Sequence, residues 1–432
     1  MIYNETNANK HWDTKKLSQL GEFKRGRSRH RPRNDERLFT DGTYPLIQTG
    51  EVKSANLYIN KHKVAYNEFG LAQSKIWDAG TLCITIAANI AETAILAYPM
   101  CFPDSVVGFI AYEGETSELF MHYVFSFIRQ SIQNSVNGSI QDNIDIEYLS
   151  NLSFKIPKKE HQDKIVGLLS AIDNKIEANL KILQLLDEEI SLIYDKWFLQ
   201  FDFPESNGKS YRENGGKFKW NERFNMEIPE EWDVVDLEQY IDFDKGISYT
   251  SEDIKNGEGL PMINLASIDV DLAYRPEELK YFKGTVSEDK LATKNDMLIA
   301  CTDLTRNADI IGCPIFVPDT FPLYTYSTDL VKVLITNDDL KPEFLFSTLR
   351  TSFYHKYIKG FATGTNVLHL DTDGIKWYPI ILPKEDIQKK YGEIVRETIN
   401  KEHIIIRENQ KLKQDRDFLL PLLMNGQVTF KN

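Results

Sequence analysis

With 432 residues the chain is too long for one ordinary core, and its 42% hydrophobic and 12% aromatic content excludes a disordered or low-complexity protein. No apolar run reaches a bilayer span, the polar start MIYNETNANKHWD lacks the apolar stretch of a signal peptide, and the scattered Cys83, Cys101, Cys301 and Cys313 form no CxxC, which argues against a disulfide framework or a structural zinc site and for a reducing cytoplasm. A formal charge of −13 argues, taken alone, against nucleic-acid binding, although local patches set the field a polyanion meets.

In chain order, the first recognisable stretch is WDTKKLSQLGEFKRGRS from Trp12, and it returns as WDVVDLEQYIDFDKGIS from Trp232 with Trp, Asp, Leu, Gln, Phe, Gly and Ser in register. Overlapping the end of its first appearance, Lys24 to Arg33 reads KRGRSRHRPR, with six Lys or Arg residues and no acid. A solvated basic loop is one reading; the position beside a repeated framework segment favours a phosphate contact. The second copy has no such patch, since Lys24-Arg25-Gly26-Arg27 corresponds to Asp244-Lys245-Gly246-Ile247. Short β-prone runs follow in both copies, TYPLIQTG and TLCITIA in the first, GLPMINLA and DMLIACT in the second, broken by Gly, Asn and Asp. SELFMHYVFSFIRQSI from Ser117 and KPEFLFSTLRTSFYHKYI from Lys341 read as helices on those sheets, with Pro342 tolerated near a helix start. The predicted fold class is α+β: two mixed α/β domains and two long helices in an internal repeat.

A second match closes each copy: IPKKEHQDK from Ile156 and LPKEDIQKK from Leu382. A long helix is predicted after each. In the first, Ile165, Leu169, Ile172, Ile176, Asn179, Leu183, Leu186 and Ile190 alternate at spacings of 4 and 3, a 3.5-residue period that needs a partner helix. A core Asn179 fixes register, because few alignments satisfy its amide. The expected partner spans about 386–423 and contributes Ile405, Leu412 and Leu419, but its seam also contains Glu402 and Arg416, which do not suit a dry core. The helices then pair imperfectly, or these residues face another subunit. At about 1.5 Å per residue each helix is roughly 57 Å long, and an antiparallel pair would relate the two domains by a pseudo-twofold, a symmetry that duplex DNA shares.

Signatures of chemistry are lacking. There is no Asn-Pro-Pro-Tyr-like methyltransferase motif, no GxxxxGK[ST] and no HExxH. Asp104, Glu113 and Glu115 lack the lysine that a nuclease cluster needs, Thr302-Asp303 beside Arg306 lacks a nucleophile with an oriented base, and His122 and His369 read as core or contact residues.

The join WFLQFDFPESNGKSYRENGGKFKWNERFNMEIPEEW (Trp197 to Trp232), the double layout and the ending LLPLLMNGQV from Leu419 resemble the specificity subunit of type I restriction–modification systems, over nearly the whole chain. The resemblance implies target-recognition domains at 1–155 and 232–381, helical regions at 156–200 and 382–432, a connecting segment at 201–231, and an antiparallel coiled-coil pair. It implies a non-enzymatic cytoplasmic protein that reads the two halves of an interrupted, asymmetric double-stranded DNA target. It also implies two methyltransferase subunits using S-adenosylmethionine, and motor–nuclease subunits using ATP and Mg, with no cofactor in this chain and no membrane. Base and phosphate readout call for Arg, Lys, Asn, Gln and small hydroxyls. The candidates are Arg25, Arg27, Arg29, Arg31, Arg33, Gln48, Thr49, Asn137 and Ser139 in the first domain. In the second they are Lys245, Ser248, Asn264, Arg306, Thr365, Asn366 and His369. Gly138-Ser139 aligns with Gly364-Thr365 at an offset of 226, which puts the two turns in equivalent places. The competing readings are a coiled-coil assembly scaffold that binds no DNA, and the DNA-reading part of a fused modification enzyme.

Overall fold

The computed structural model describes residues 4–87, 89–137, 144–205, 207–255, 257–269, 273–305 and 307–430. The chain divides into two compact units, 1–178 with 411–432, and 179–410.

In the first unit, the repeated Trp12 segment forms β1 (Asp13–Lys16) and β2 (Gly21–Arg25). β2 is the edge of a five-stranded sheet completed by β3 (Tyr58–Ile59), β4 (Leu82–Thr85), β5 (Thr93–Leu96) and β6 (Val106–Ala111), in the order β2-β6-β4-β5-β3. β3 runs parallel to β5 and the other pairs are antiparallel. β4 and β5 are buried along their whole length, which explains their unbroken apolar runs. Helix α1 (Glu118–Asn137) turns Phe120, Val124, Ile128 and Ile132 into the same core as Leu82, Ile84, Val107 and Phe109. The spacing of four is one helical face. β7 (Ser153–Ile156) then pairs back on β1, Asp13 opposite Ile156, and leads into α2 (Lys159–Tyr194).

The second unit builds the same frame from the second copy. β8 (Asp233–Asp236) precedes β9 (Ile241–Lys245), the edge of a sheet whose other strands are β10 (Met297–Ala300), β12 (Pro314–Phe316) and β13 (Leu330–Ile335), in the order β9-β13-β10-β12. Between β10 and β12 in sequence, β11 (Thr302–Asp303) belongs to a separate three-stranded sheet with β14 (Ala362–Thr363) and β15 (Leu368–Leu370). The helical run from Lys341 is two short helices, α3 (Pro342–Thr348) and α4 (Ser352–Ile358), because the Thr351 hydroxyl caps the Tyr354 amide and restarts the helix. β16 (Pro379–Leu382) pairs with β8, Asp233 opposite Leu382, and leads into α5 (Glu385–Met424). The connecting segment is no loose tether. Phe201, Phe203 and Ile228 lie in this unit's core, and Phe203 stacks on Trp232 at 4.9 Å.

The matched residues do matching work. Gly26 and Gly246 follow β2 and β9, and a Cβ at either would collide with facing backbone, the Phe102 and Pro103 carbonyls or the Tyr326 and Ser327 carbonyls. Buried Gln162 donates to the Pro157 carbonyl at 2.9 Å and buried Gln388 to the Pro383 carbonyl at 2.8 Å, each pinning its long helix to the strand before it.

Within each unit α2 and α5 run antiparallel. In the first, Asp173 of α2 meets Arg416 of α5 at 2.8 Å; in the second, Asn179 meets Asn409 at 2.8 Å, and the Tyr391 hydroxyl reaches the Ile190 carbonyl at 3.4 Å. Ile165, Leu169, Ile176, Asn179, Leu183 and Ile190 are buried, while Ile172, Leu186, Ile405, Leu412 and Leu419 are half-buried. The two awkward seam residues are accommodated inside the chain. Arg416 is neutralised by buried Asp173, which also accepts from the Tyr123 hydroxyl at 2.7 Å. Glu402 is half-buried, and burial pushes its carboxyl up to about 7, aided by Asp187 and opposed by Arg350.

Candidate nucleic-acid interface

The basic stretch leaves the edge strand β2 and is held as a shaped loop. The Arg27 amide donates to the Phe102 carbonyl at 3.0 Å, and the Ser74 hydroxyl donates to the Arg27 carbonyl at 2.8 Å. The Gln73 side-chain oxygen accepts from the amides of Arg29 and His30, at 2.6 and 3.0 Å. His30 lies 2.8 Å from Asp35, whose carboxyl is held well below the usual range by Arg37 first and His30 second. Gln73, which sequence reasoning did not single out, accepts from two amides of the loop; a lone Gln between Ala72 and Ser74 carries no signal of that use.

The six cations of the stretch are not equivalent. Lys24 pairs with Glu22 on the same strand, and Arg33 pairs with Asp104 at 2.7 Å. Arg31 spends its guanidinium on the Ser28 and His30 carbonyls at 2.7 and 2.8 Å. Arg27 is half-buried and reaches the Ala72 carbonyl at 3.5 Å. Arg25 and Arg29 are exposed, and neither guanidinium has a carboxylate partner among the described residues. These two are the exposed guanidiniums of the loop that have no carbonyl partner either among the described residues. Gln48 is exposed and Thr49 half-buried at the start of a short helix, Thr49–Ser54, where the Glu51 carboxylate caps the Gln48 amide at 3.0 Å. Asn137 ends α1, and its side chain, like Ser139 and Gly138, lies outside the described residues.

In the second unit Lys245 ends the edge strand β9, exposed, with Ser248 exposed shortly after. Thr365 and Asn366 are exposed in the turn between β14 and β15, and Gly364 takes a positive φ of 129° there, which a side chain would strain. His369 is exposed on β15, opposite Thr302 of β11 and Thr363 of β14. Arg306 lies outside the described residues. Asn264 is a correction. It is 3% exposed, caps the turn that follows it by accepting from the Ala266 amide at 3.0 Å, and donates to the Glu278 carbonyl at 2.7 Å. Its amide is consumed by the fold and is not offered to a ligand.

Four of the polar groups that could suggest chemistry, Asp303, Asp104, Glu115 and His122, have structural partners. Asp303 is buried and accepts from the Thr305 and Ile310 amides at 2.6 and 2.8 Å. Asp104 pairs with Arg33, and Glu115 with Lys15. His122 shares a hydrogen bond with Thr93 at 3.0 Å, and burial pushes its imidazole down to about 3, too low for a general base at neutral pH. Among the described residues, no group of three or more His, Cys, Asp or Glu side chains could hold a metal ion, and no helix is long and apolar enough to cross a membrane. Each unit has exposed polar residues at and just after an edge strand, Arg25 and Arg29 with β2 and Lys245 and Ser248 with β9, and loop residues so placed suit recognition.

Comparison with known proteins places this architecture. The family model for the type I restriction modification DNA specificity domain matches residues 9–188 and again 229–414. The type I restriction enzyme MjaIX specificity subunit of Methanocaldococcus jannaschii is 24% identical over 431 residues, covering 97% of this chain and 94% of that one. The type I restriction enzyme HindI specificity subunit of Haemophilus influenzae is 24% identical over 332 residues, covering 66% and 71%. Among solved structures, the type I restriction–modification system S subunit from M. genitalium shares the fold, with a TM-score of 0.58 at 15% identity over 98% of this chain and 99% of that one.

Proposed function

The chain belongs to the type I restriction modification DNA specificity family and is a non-catalytic specificity subunit, and from that premise we propose how its parts divide the work. Each unit's α/β domain reads one half of an interrupted, asymmetric duplex target. The helices set the gap between the half-sites and dock two copies of an adenine methyltransferase subunit. The observation that carries this reading is the frame built twice from matched residues, with Gly26 and Gln162 in one copy and Gly246 and Gln388 in the other. Around that frame the exposed rims differ, with open cations Arg25 and Arg29 in the first and a single Lys245 at the corresponding place in the second. A constant frame under two unlike surfaces is what reading two unlike half-sites requires, since phosphate contacts position a protein while base-edge contacts specify. Two exposed apolar side chains support docking of a pair of like partners. Leu192 on α2 and Phe418 on α5 are 68% and 69% exposed and lie at equivalent repeat positions, 226 residues apart.

S-adenosylmethionine, ATP and Mg belong, in this proposal, to the partner subunits. The test is a base-resolution map of adenine methylation in cells with the gene present and deleted. The expected result is loss of one interrupted asymmetric motif on deletion; an unchanged map in cells that express the partner subunits would overturn the reading.

A further inference from the structure

The polar residues of the helix seam are distributed unequally between the two copies of the repeat. α2 begins at Lys159 and α5 at Glu385, so each position of α2 corresponds to the α5 position 226 later. Asp173 then corresponds to Ile399, Asn179 to Ile405, Leu183 to Asn409 and Ile190 to Arg416. The Asp173–Arg416 contact thus has the apolar counterpart Ile399–Ile190, and both of those side chains lie in the second unit's core. Likewise Asn179–Asn409 has the counterpart Ile405–Leu183. In both pairs a polar residue on one helix finds its polar partner on the other helix, at a place where its own helix would offer an apolar one.

We infer that the seam is a selective lock, in which each long helix accepts the helix of the opposite repeat copy and rejects a second copy of itself. Two α2 helices paired in the observed antiparallel register would put Ile190 where Arg416 now meets Asp173, and Leu183 where Asn409 now meets Asn179. Two α5 helices would leave Arg416 facing Ile399 and Asn409 facing Ile405. Each mismatch occurs twice in such a symmetric pair. Asp173 has only 1% of its side chain exposed, and a carboxylate so buried is costly to leave without its cation. Asn179 is also buried, and its amide donates to Glu408 at 2.7 Å as well as to Asn409; facing Leu183 and Ile182 it would have neither acceptor. A repeat protein with matched frames at both ends is at risk of pairing like with like, and a buried polar residue that is satisfied in one alignment only is an effective device against it. The lock does not depend on what the domains bind.

The mismatches can be installed in the full chain. Arg416→Ile with Asn409→Leu reproduces what α2 would meet in another α2. Asp173→Ile with Asn179→Ile reproduces the corresponding α5 pairing. All four substitutions together, with Tyr123→Phe to remove the hydroxyl that otherwise loses its Asp173 acceptor, give a seam that is apolar at both places. Urea unfolding should show each double variant losing at least a hundredfold in its folding equilibrium constant, with the five-fold variant returning to within tenfold of the parent. The single Asn409→Leu variant gives a milder reading of the same effect should a double variant not fold. Double variants as stable as the parent would overturn the lock. A five-fold variant as unstable as the doubles would overturn it too, because the polar pairs would then support the fold without choosing a partner.

Discussion

Arg25 and Arg29 differ from their basic neighbours in being exposed with neither a carboxylate nor a carbonyl partner for the guanidinium among the described residues, so they should dominate the first domain's hold on a phosphate backbone. Removing one cation from a phosphate should flatten the dependence of log affinity on log salt by about 1. Charge reversal at Arg25 with Arg29 should therefore weaken binding to duplexes of any sequence and lower that slope by about 2, measured on the assembled complex across a salt series. Arg33→Ala, which removes a cation already paired with Asp104, should change it little. An unchanged slope in the double reversal would take the loop out of the interface. Glu402 makes a prediction about pH. Its carboxyl sits at about 7 in the folded chain against an ordinary value of 4.5, so the folded state holds the proton more tightly. Its favourable contribution is complete below about 4.5 and is lost as pH rises through 7. Glu402→Gln should remove that loss, stabilising the protein at pH 8 by on the order of 1–2 kcal/mol and leaving it near the parent at about pH 4.5. Urea midpoints at the two pH values check this, and an equal effect at both would contradict it.

At the scale of elements, Leu192 and Phe418 allow docking to be tested one repeat copy at a time. Leu192→Glu or Phe418→Glu alone should reduce the methyltransferase subunits recovered with the chain from two to one, and both together to none, read by the mass of the purified complex. Retention of two copies by the double variant would place docking elsewhere. The long helices and the recurrence of the frame segments were legible in the sequence because their causes are local or repeated; that those segments pair as strands was not. A 3.5-residue apolar period specifies a seam, and Gly26, Gly246, Gln162 and Gln388 recur because the close backbone approach and the helix pin recur. The Asp173–Arg416 pair was not legible. The period selects Ile172, one residue away, and a charged residue on a helix resembles a surface group until its partner 243 residues later is known. Asn264 was misread for a related reason, since an amide that caps a turn and one that reads adenine have the same composition, and only its burial separates them. The anchoring by Gln73 and the internal partners of Arg31 and Arg33 depend on how the loop folds back on itself and on its neighbours, which no spacing in the basic stretch encodes.

For the whole molecule, the repeat has a consequence beyond economy. If each domain reads its half-site on its own frame, the second reading surface can be exchanged without disturbing the first, because the paired strands β8 and β16 and the helix pin at Gln388 remain. The helix pair would still set the spacing, and the polar seam contacts would still select the opposite copy's helix. The most direct test replaces residues 248–378, from Ser248 to Tyr378, with the corresponding segment of another family member and maps adenine methylation in cells expressing the chimaera with its methyltransferase. One half of the methylated motif should change while the other half and the spacer stay as they were; a change in both halves would contradict independent reading by two domains.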